Sequence, residues 1–468
     1  MLETLNNWII SANDWIWTYL LIILLILIGL YFTFKSRFVQ FRYFGEMFRL
    51  LGQGVSNGKG KNSVSSFQAF CIATASRVGT GNLAGVATAV ALGGSGAVFW
   101  MWVLALIGSA SAFVESTLAQ IYKEKGERSF IGGPAFYIGK GLKKKGLALL
   151  FAFIIIITFG LVFNSVQANT IAIAFHEIYG TGQLGPAIIL TFFTLITIFG
   201  GIHRIARVAG IIVPFMAIAY ILVALFILFN HMTAIPALIG HIFSNAFGIE
   251  QVVGGGLGAT IMQGVRRGLF SNEAGMGSAP NAAATATVSH PVKQGLVQML
   301  SVFIDTLLLC TATAMMCMSS GIDPAKELQG APWVQASLQE SLGSFGPIFI
   351  TVAMVFFAFT TLLGNCFYCD NLLIYIHKKQ PEKAFMKGFR LVSALAIFLG
   401  AGMEMSLLWD LSDVLMGVMA LINIPVILIL SGIAFKAVQD YEAQLKKEIN
   451  PVFKSADIGL SQKTDFWR

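Results

Sequence analysis

The chain has 468 residues, 56% hydrophobic and only 12% charged, with a formal net charge of +8. A soluble globular domain carries about 25% charged residues, so half that share over this length cannot cover a water-facing surface. Together with a mean hydropathy of +0.75, this excludes a cytosolic enzyme and a disordered scaffold, and five scattered cysteines (Cys71, Cys310, Cys317, Cys366, Cys369) exclude a disulfide-stapled secreted module.

In lipid, backbone polar groups must be bonded internally, so long apolar runs read as helices. The first sixteen residues hold no Lys or Arg, which is unlike the n-region of a signal peptide. The run 17–34 is long enough to cross a hydrocarbon core of ~30 Å and is expected to be a retained first helix. Further spans are expected at 68–90, 97–122, 147–175, 183–200, 208–230, 253–286, 294–319, 345–376, 389–403 and 407–435. Between them, 130–142 (FIGGPAFYIGKGL) reads as an interfacial helical connector or gating segment. Residues 324–342 read as a short amphipathic lid or connector, and the tail from Lys436 as a helix that frays out.

The basic residues test this order of spans. With eleven spans and the N-terminus outside, 27 of the 31 Lys and Arg fall on the inner side; only Lys326 falls outside, and Arg77, Arg266 and Arg267 lie within spans. That is the positive-inside pattern of a multi-pass protein of a cell (inner) membrane with a cytoplasmic C-terminus. The same distribution argues against nucleic acid as a partner, because the charge sits in short loops and not on a soluble face.

Two spans are interrupted. The second reads CIATASRVGTGNLAGVATAV and the seventh GGGLGATIMQGVRRGLFSNEAGMGSAPNAAATA. An apolar helix, then Gly with Asn, Ser or Thr and charge, then helix again, is the pattern of a broken transmembrane helix, whose freed N–H and C=O groups are tolerated where they line a protein cavity. Arg77 to Gly85 and Arg267 to Gly275 share R-x-x-x-x-N-x-A-G at a constant offset of 190 residues. Each opens a block of five spans, and an odd number per block sets the copies in opposite orientation, the layout of secondary transporters. The expected fold class is therefore an all-α polytopic membrane protein with a 5+5 inverted repeat preceded by one extra helix. Its expected parts are the extra helix (1–36), a basic connector (37–66), a first repeat (67–232), a second repeat (233–435) and a cytoplasmic tail (436–468). Charges inside spans are costly and mark function or helix-locking pairs; the candidates here are Arg77, Glu115, Arg266, Arg267, Glu273 and Asp305, with Glu115 expected near the inner interface. Cys366-x-x-Cys369 stands alone within a span and reads as packing.

The stretches FQAFCIATASRVGTGNLAGVATAVALGGSGAVFWMW, GGPAFYIGKGL, GGIHRIARVAGIIVPFMA, RRGLFSNEAGMGSAPNAAATA followed by HPVKQG, and FAFTTLLGN resemble the alanine/glycine:cation symporter family. The resemblance runs from span 2 to span 9 and implies a leucine-transporter-like fold and sodium-coupled uptake of a neutral amino acid. It implies that amides at Thr80, Gly81 and Asn82 hold the substrate carboxylate. Carbonyls of Ala75 and Val78, with hydroxyls of Thr360 and Thr361, would hold Na⁺, a hard cation that takes oxygen ligands. It places Phe270, Ser271, Asn272 and Gly275 around the amino group and side chain, with Gln167 pointing inward. No organic cofactor is implied. One departure stands out: the residue after TT-x-L-G, commonly Trp in this family, is Asn365. A carboxamide there would enlarge and polarise the side-chain pocket, which favours glutamine or asparagine. Competing readings are proton coupling through Asp305 or Glu273, an amino-acid channel or sensor, and a membrane-embedded enzyme, for which no nucleophile–base or metal set is present.

Overall fold

The computed structural model describes residues 2–56, 64–127, 129–247, 256–324, 328–460 and 464–467. Lys59, Lys61, Arg128, Lys326, Lys463, Arg468 and the expected start of the seventh span at 253–255 lie outside the described residues. The described residues are mostly helical, and among them a short hairpin pairs Glu124–Lys125 with Phe130–Ile131. Among the described residues, seven helices are long and apolar enough to cross a membrane: Trp8–Lys35, Gly96–Ile121, Lys145–Tyr179, Ile202–Asn230, Pro291–Ser319, Phe345–His377 and Met405–Leu445. Leu184–Ile198 is a shorter apolar helix, and Lys383–Gly400 lies where the tenth span is expected.

Position in the bundle follows side-chain chemistry. On the 202–230 helix, Ile211, Phe215, Ile218, Leu222, Leu225, Phe226 and Phe229 are all exposed at helical spacing, a stripe that suits lipid. The 291–319 helix is the opposite case. Gln294, Gln298, Ser301, Asp305, Thr306 and Thr313 are all fully buried, so its polar face looks into protein. Residues Phe303–Cys310 of this helix form a π-helical stretch, a local widening often found at functional sites.

Both expected interruptions are present as unwound backbone. Ser66–Arg77 starts from a capping box at Ser65 and Gln68, ends at Val78, passes through one 3₁₀ turn at Thr80–Asn82 and resumes as Ala84–Gly93. Gly256–Asn272 ends at Glu273, and the chain stays unwound to Pro280–Ala283. Glu273, Gly275 and Gly277 hold φ of 55°, 81° and 87°, where the two glycines escape the steric cost of a Cβ.

Three connections differ from their sequence reading. Helix Pro134–Gly141 does not lie on the surface: Pro134 through Ile138 are buried, and Asn371 donates to the Gly132 carbonyl at 2.5 Å. A further helix, Ile235–Ala246, precedes the second interrupted span. The tail does not fray. The last long helix runs to Leu445, and the tail then docks beneath the bundle. There Trp467 Nε1 donates to the Gln120 carbonyl at 2.8 Å, and Lys123 Nζ lies over the rings of Phe130, Phe466 and Trp467. Aromatic residues at the end of a polar segment provide the burial that its composition hides.

Candidate functional site

The first break converges with the 345–377 helix. Thr361 Oγ1 lies 2.9 Å from the Ala75 carbonyl oxygen, 3.3 Å from that of Val78 and 2.9 Å from that of Phe357. One hydroxyl proton cannot serve three carbonyls, so the cluster has an excess of lone pairs, the donor set that a hard monovalent cation accepts. Thr360 is not part of it. One residue along a helix turns the side chain by about 100°, and its hydroxyl bonds back to Phe356 and Phe357 of its own helix at 3.1 and 3.0 Å.

On the other side of the break, the Thr80 N–H donates to Gln167 Oε1 at 2.9 Å, and the Gly79 N–H to Asn82 Oδ1 at 3.0 Å. The Thr80 hydroxyl is buried with no hydrogen-bond partner among the described residues. Asn82 Nδ2 reaches Ser271 Oγ at 2.9 Å and Asp305 Oδ1 at 2.6 Å, and Ser271 Oγ donates to Asp305 Oδ2 at 2.5 Å. Thr306 Oγ1 also bonds Asp305, at 2.9 Å, and accepts from Asn272 Nδ2 at 3.2 Å. The two breaks are thus joined through Asn82, Ser271 and Asp305, and Gly81 faces the Phe270 ring. That ring is held between Phe163 and Trp409, with centroids 4.9 and 4.7 Å away. Gly275 stands apart from this cluster, in the loop beyond Glu273.

The intramembrane charges find partners that sequence spacing does not reveal. Arg267 pairs with Asp413 at 2.5 Å and lies over the Trp409 ring, while Arg266 reaches Asp14 at 3.5 Å. Arg77 bonds the Gln298 carbonyl and Ser301 Oγ and leaves Nε and Nη2 without partners among the described residues. Glu273 accepts from Ser278 at 2.5 Å and lies 3.0 Å from Ser76 Oγ. Glu115 does not reach the interface. It is fully buried and accepts the N–H groups of Gly275 and Gly277, because unwound amides at this depth must be satisfied by protein. Asn365 is bonded on both ends of its carboxamide: Oδ1 is 2.9 Å from Ser76 Oγ, and Nδ2 donates to Asn164 at 2.9 Å. Asp413, Trp409, Asn423 and Ser76 escaped the sequence reading; of these, only Asp413, an acid inside an apolar span, carried a signal that could have found it.

Comparison with known proteins adds to this geometry. A model of the sodium:alanine symporter family matches residues 2–455. The probable sodium/glutamine symporter GlnT of Bacillus subtilis is 48% identical over 97% of this chain and 94% of its own. The amino-acid carrier protein AlsT of the same organism is 48% identical over 99% and 97%, and the sodium/alanine symporter AgcS of Methanococcus maripaludis 37% over 94% and 97%. Among solved structures, the manganese transporter of Eremococcus coleocola matches with a TM-score of 0.53 at 12% identity, covering 86% of this chain and 81% of that one, a likeness of fold alone.

Proposed function

The chain belongs to the sodium:alanine symporter family, and from that premise we propose that it is a secondary symporter that carries a neutral amino acid into the cell with Na⁺. The observation that carries this reading is the cradle of Thr361 Oγ1 with the carbonyls of Ala75 and Val78 across the first break. Na⁺ sits among these oxygens. The substrate carboxylate takes the Gly81 amide and the Thr80 hydroxyl, which has no hydrogen-bond partner among the described residues; the other two expected donors are spent, the Thr80 N–H on Gln167 and the Asn82 N–H on the Gly79 carbonyl at 3.2 Å. Phe270, Ser271 and Asn272 shape the rest of the pocket, with Gln167 Oε1 accepting the Thr80 N–H and so holding the first break in place. Thr360 is a less suitable ligand, since its hydroxyl is held by its own helix. Arg267, paired with Asp413 and lying over the Trp409 ring that packs on Phe270, forms a lid on one side.

In this reading the protein is a cell-membrane carrier of eleven spans, N-terminus outside and C-terminus cytoplasmic, with a first helix followed by two inverted five-span repeats. The energetics suffice. One positive charge moving inward through 100 mV gains ~2.3 kcal/mol, and each tenfold accumulation costs ~1.4 kcal/mol. One Na⁺ per amino acid can therefore concentrate substrate more than about tenfold, even before its own gradient is counted.

Glutamine and asparagine are the preferred substrates. Support comes from the 48% identity to a probable sodium/glutamine symporter; Asn365, its carboxamide held at both ends by Ser76 and Asn164, acts on the pocket through Ser76 beside the first break. The test is uptake of radiolabelled glutamine, asparagine, alanine and glycine into proteoliposomes. An imposed Na⁺ gradient should drive accumulation, glutamine ahead of alanine, and Asn365→Trp should narrow that preference. A pH gradient in Na⁺-free buffer should drive none; accumulation under that condition would favour the proton-coupled alternative through Asp305 or Glu273.

A further inference from the structure

We infer that Glu115 is a positioning residue for the second break: its carboxylate fixes the unwound 273–279 segment and so sets the pocket residues Phe270, Ser271 and Asn272. This rests on the reading of the chain as an amino-acid symporter. Glu115 lies on the Gly96–Ile121 helix with no exposed surface. Oε1 accepts the Gly275 N–H at 3.2 Å; Oε2 accepts the Gly277 N–H at 3.1 Å and Asn423 Nδ2 at 2.9 Å. Asn423 Nδ2 also reaches the Gly275 carbonyl at 2.9 Å, and its Oδ1 accepts from the Tyr137 hydroxyl at 2.5 Å.

The chemistry of this site requires a carboxylate. Two amides in the left-handed region and one carboxamide, all donors, converge on one side chain. An ionised carboxyl offers acceptors only, so it satisfies all three. A glutamine offers one oxygen and turns an NH₂ toward another donor, leaving a buried N–H unpaired. The consequence reaches the pocket because the held segment is short. Asn272 precedes Glu273 directly, and Ser278 at its other end bonds the Glu273 carboxylate, which faces Ser76 beside the first break. Through Asn423 and Tyr137 the same carboxylate ties the break to the 405–445 helix and to the buried 134–141 helix, so displacement of either is passed to the pocket.

The experiment compares wild type, Glu115→Gln and Asn423→Ala as purified full-length protein. Hydrogen–deuterium exchange of peptides covering 273–279 and 78–83 is read beside the substrate KM and the half-saturating Na⁺ of uptake. In Glu115→Gln the 273–279 amides should exchange about tenfold faster and substrate KM should rise about tenfold, while 78–83 and the Na⁺ dependence hold within about twofold. Asn423→Ala, which leaves both amide bonds to Glu115 in place, should show the same pattern at smaller amplitude, and it carries the test if Glu115→Gln does not fold. Wild-type protection of 273–279 in the variants would overturn the inference. So would a rise of KM, Na⁺ requirement and exchange everywhere together, the mark of general loosening. If wild type itself takes up no amino acid with Na⁺, the transport reading falls, and the exchange comparison still decides what Glu115 holds.

Discussion

A single methyl at Gly79 should dismantle the proposed cation cradle while leaving the fold in place. Gly79 is extended, with φ −126° and ψ −158°, a conformation open to any residue, so alanine brings no backbone strain. Its Cβ would stand 2.6 Å from Thr361 Oγ1 and 2.9 Å from Gln167 Oε1. Against an ordinary contact of about 3.5 Å, the overlaps are about 0.9 and 0.6 Å. Relief requires the Thr361 hydroxyl to leave the Ala75 and Val78 carbonyls and Gln167 to leave the Thr80 amide. Overpacking of this kind costs ~1–3 kcal/mol, and ~1.4 kcal/mol is tenfold, so the half-saturating Na⁺ concentration should rise from about fivefold to over a hundredfold. The assay is the Na⁺ dependence of labelled glutamine uptake in proteoliposomes, with Gly210→Ala as control; Gly210 sits in the 202–230 helix, where a Cβ would meet none of the described residues within 4 Å. A Gly79→Ala protein with the Na⁺ dependence of wild type would refute the reasoning.

Other consequences follow from the same contacts. Gly81→Ala sets a methyl 2.6 Å from the Phe270 ring, which Phe163 and Trp409 prevent from moving away; substrate KM should rise about tenfold with little change in Na⁺ dependence. Asp413→Asn leaves Arg267 buried without its counter-charge and should cost about 3 kcal/mol, read as a lowered Tm, whereas an apolar pair in place of Arg267 and Asp413 should recover part of that loss. Trp467→Ala removes the indole bonded to the Gln120 carbonyl and stacked near Lys123, and should make the tail beyond Leu445 cleavable by trypsin at lower protease concentration, leaving helix content unchanged by circular dichroism.

The broken helices were legible because two independent signals coincide: long apolar runs establish a helix in lipid, and Gly with Asn, Ser and Thr inside them has no packing explanation that also covers Asn82 and Asn272. The unwound backbone at 78–83 and 273–279 follows from that alone. What the sequence hides is pairing at long range. The partner of Arg267 lies 146 residues away at Asp413 and the amides held by Glu115 some 160 residues away, and no local spacing selects them. Direction along a helix is hidden too. Thr360 and Thr361 are chemically identical neighbours, and only the packing of their helix against the first break sends one hydroxyl to Ala75 and the other back on itself. The tail reads as fraying because polar and charged residues fill it, whereas its placement is decided by Phe453, Phe466 and Trp467, with the Trp467 ring against the other two and Lys123 over those of Phe466 and Trp467.

Substrate-stimulated ²²Na⁺ influx into proteoliposomes tests the cradle most directly, measured for wild type, Thr361→Val and Thr360→Val side by side. External glutamine should stimulate influx in wild type and in Thr360→Val, and Thr361→Val, which keeps the shape of the side chain and removes its oxygen, should abolish the stimulation. Thr361→Val carrying Na⁺ as wild type does, or glutamine accumulating with no accompanying ²²Na⁺, would contradict the account.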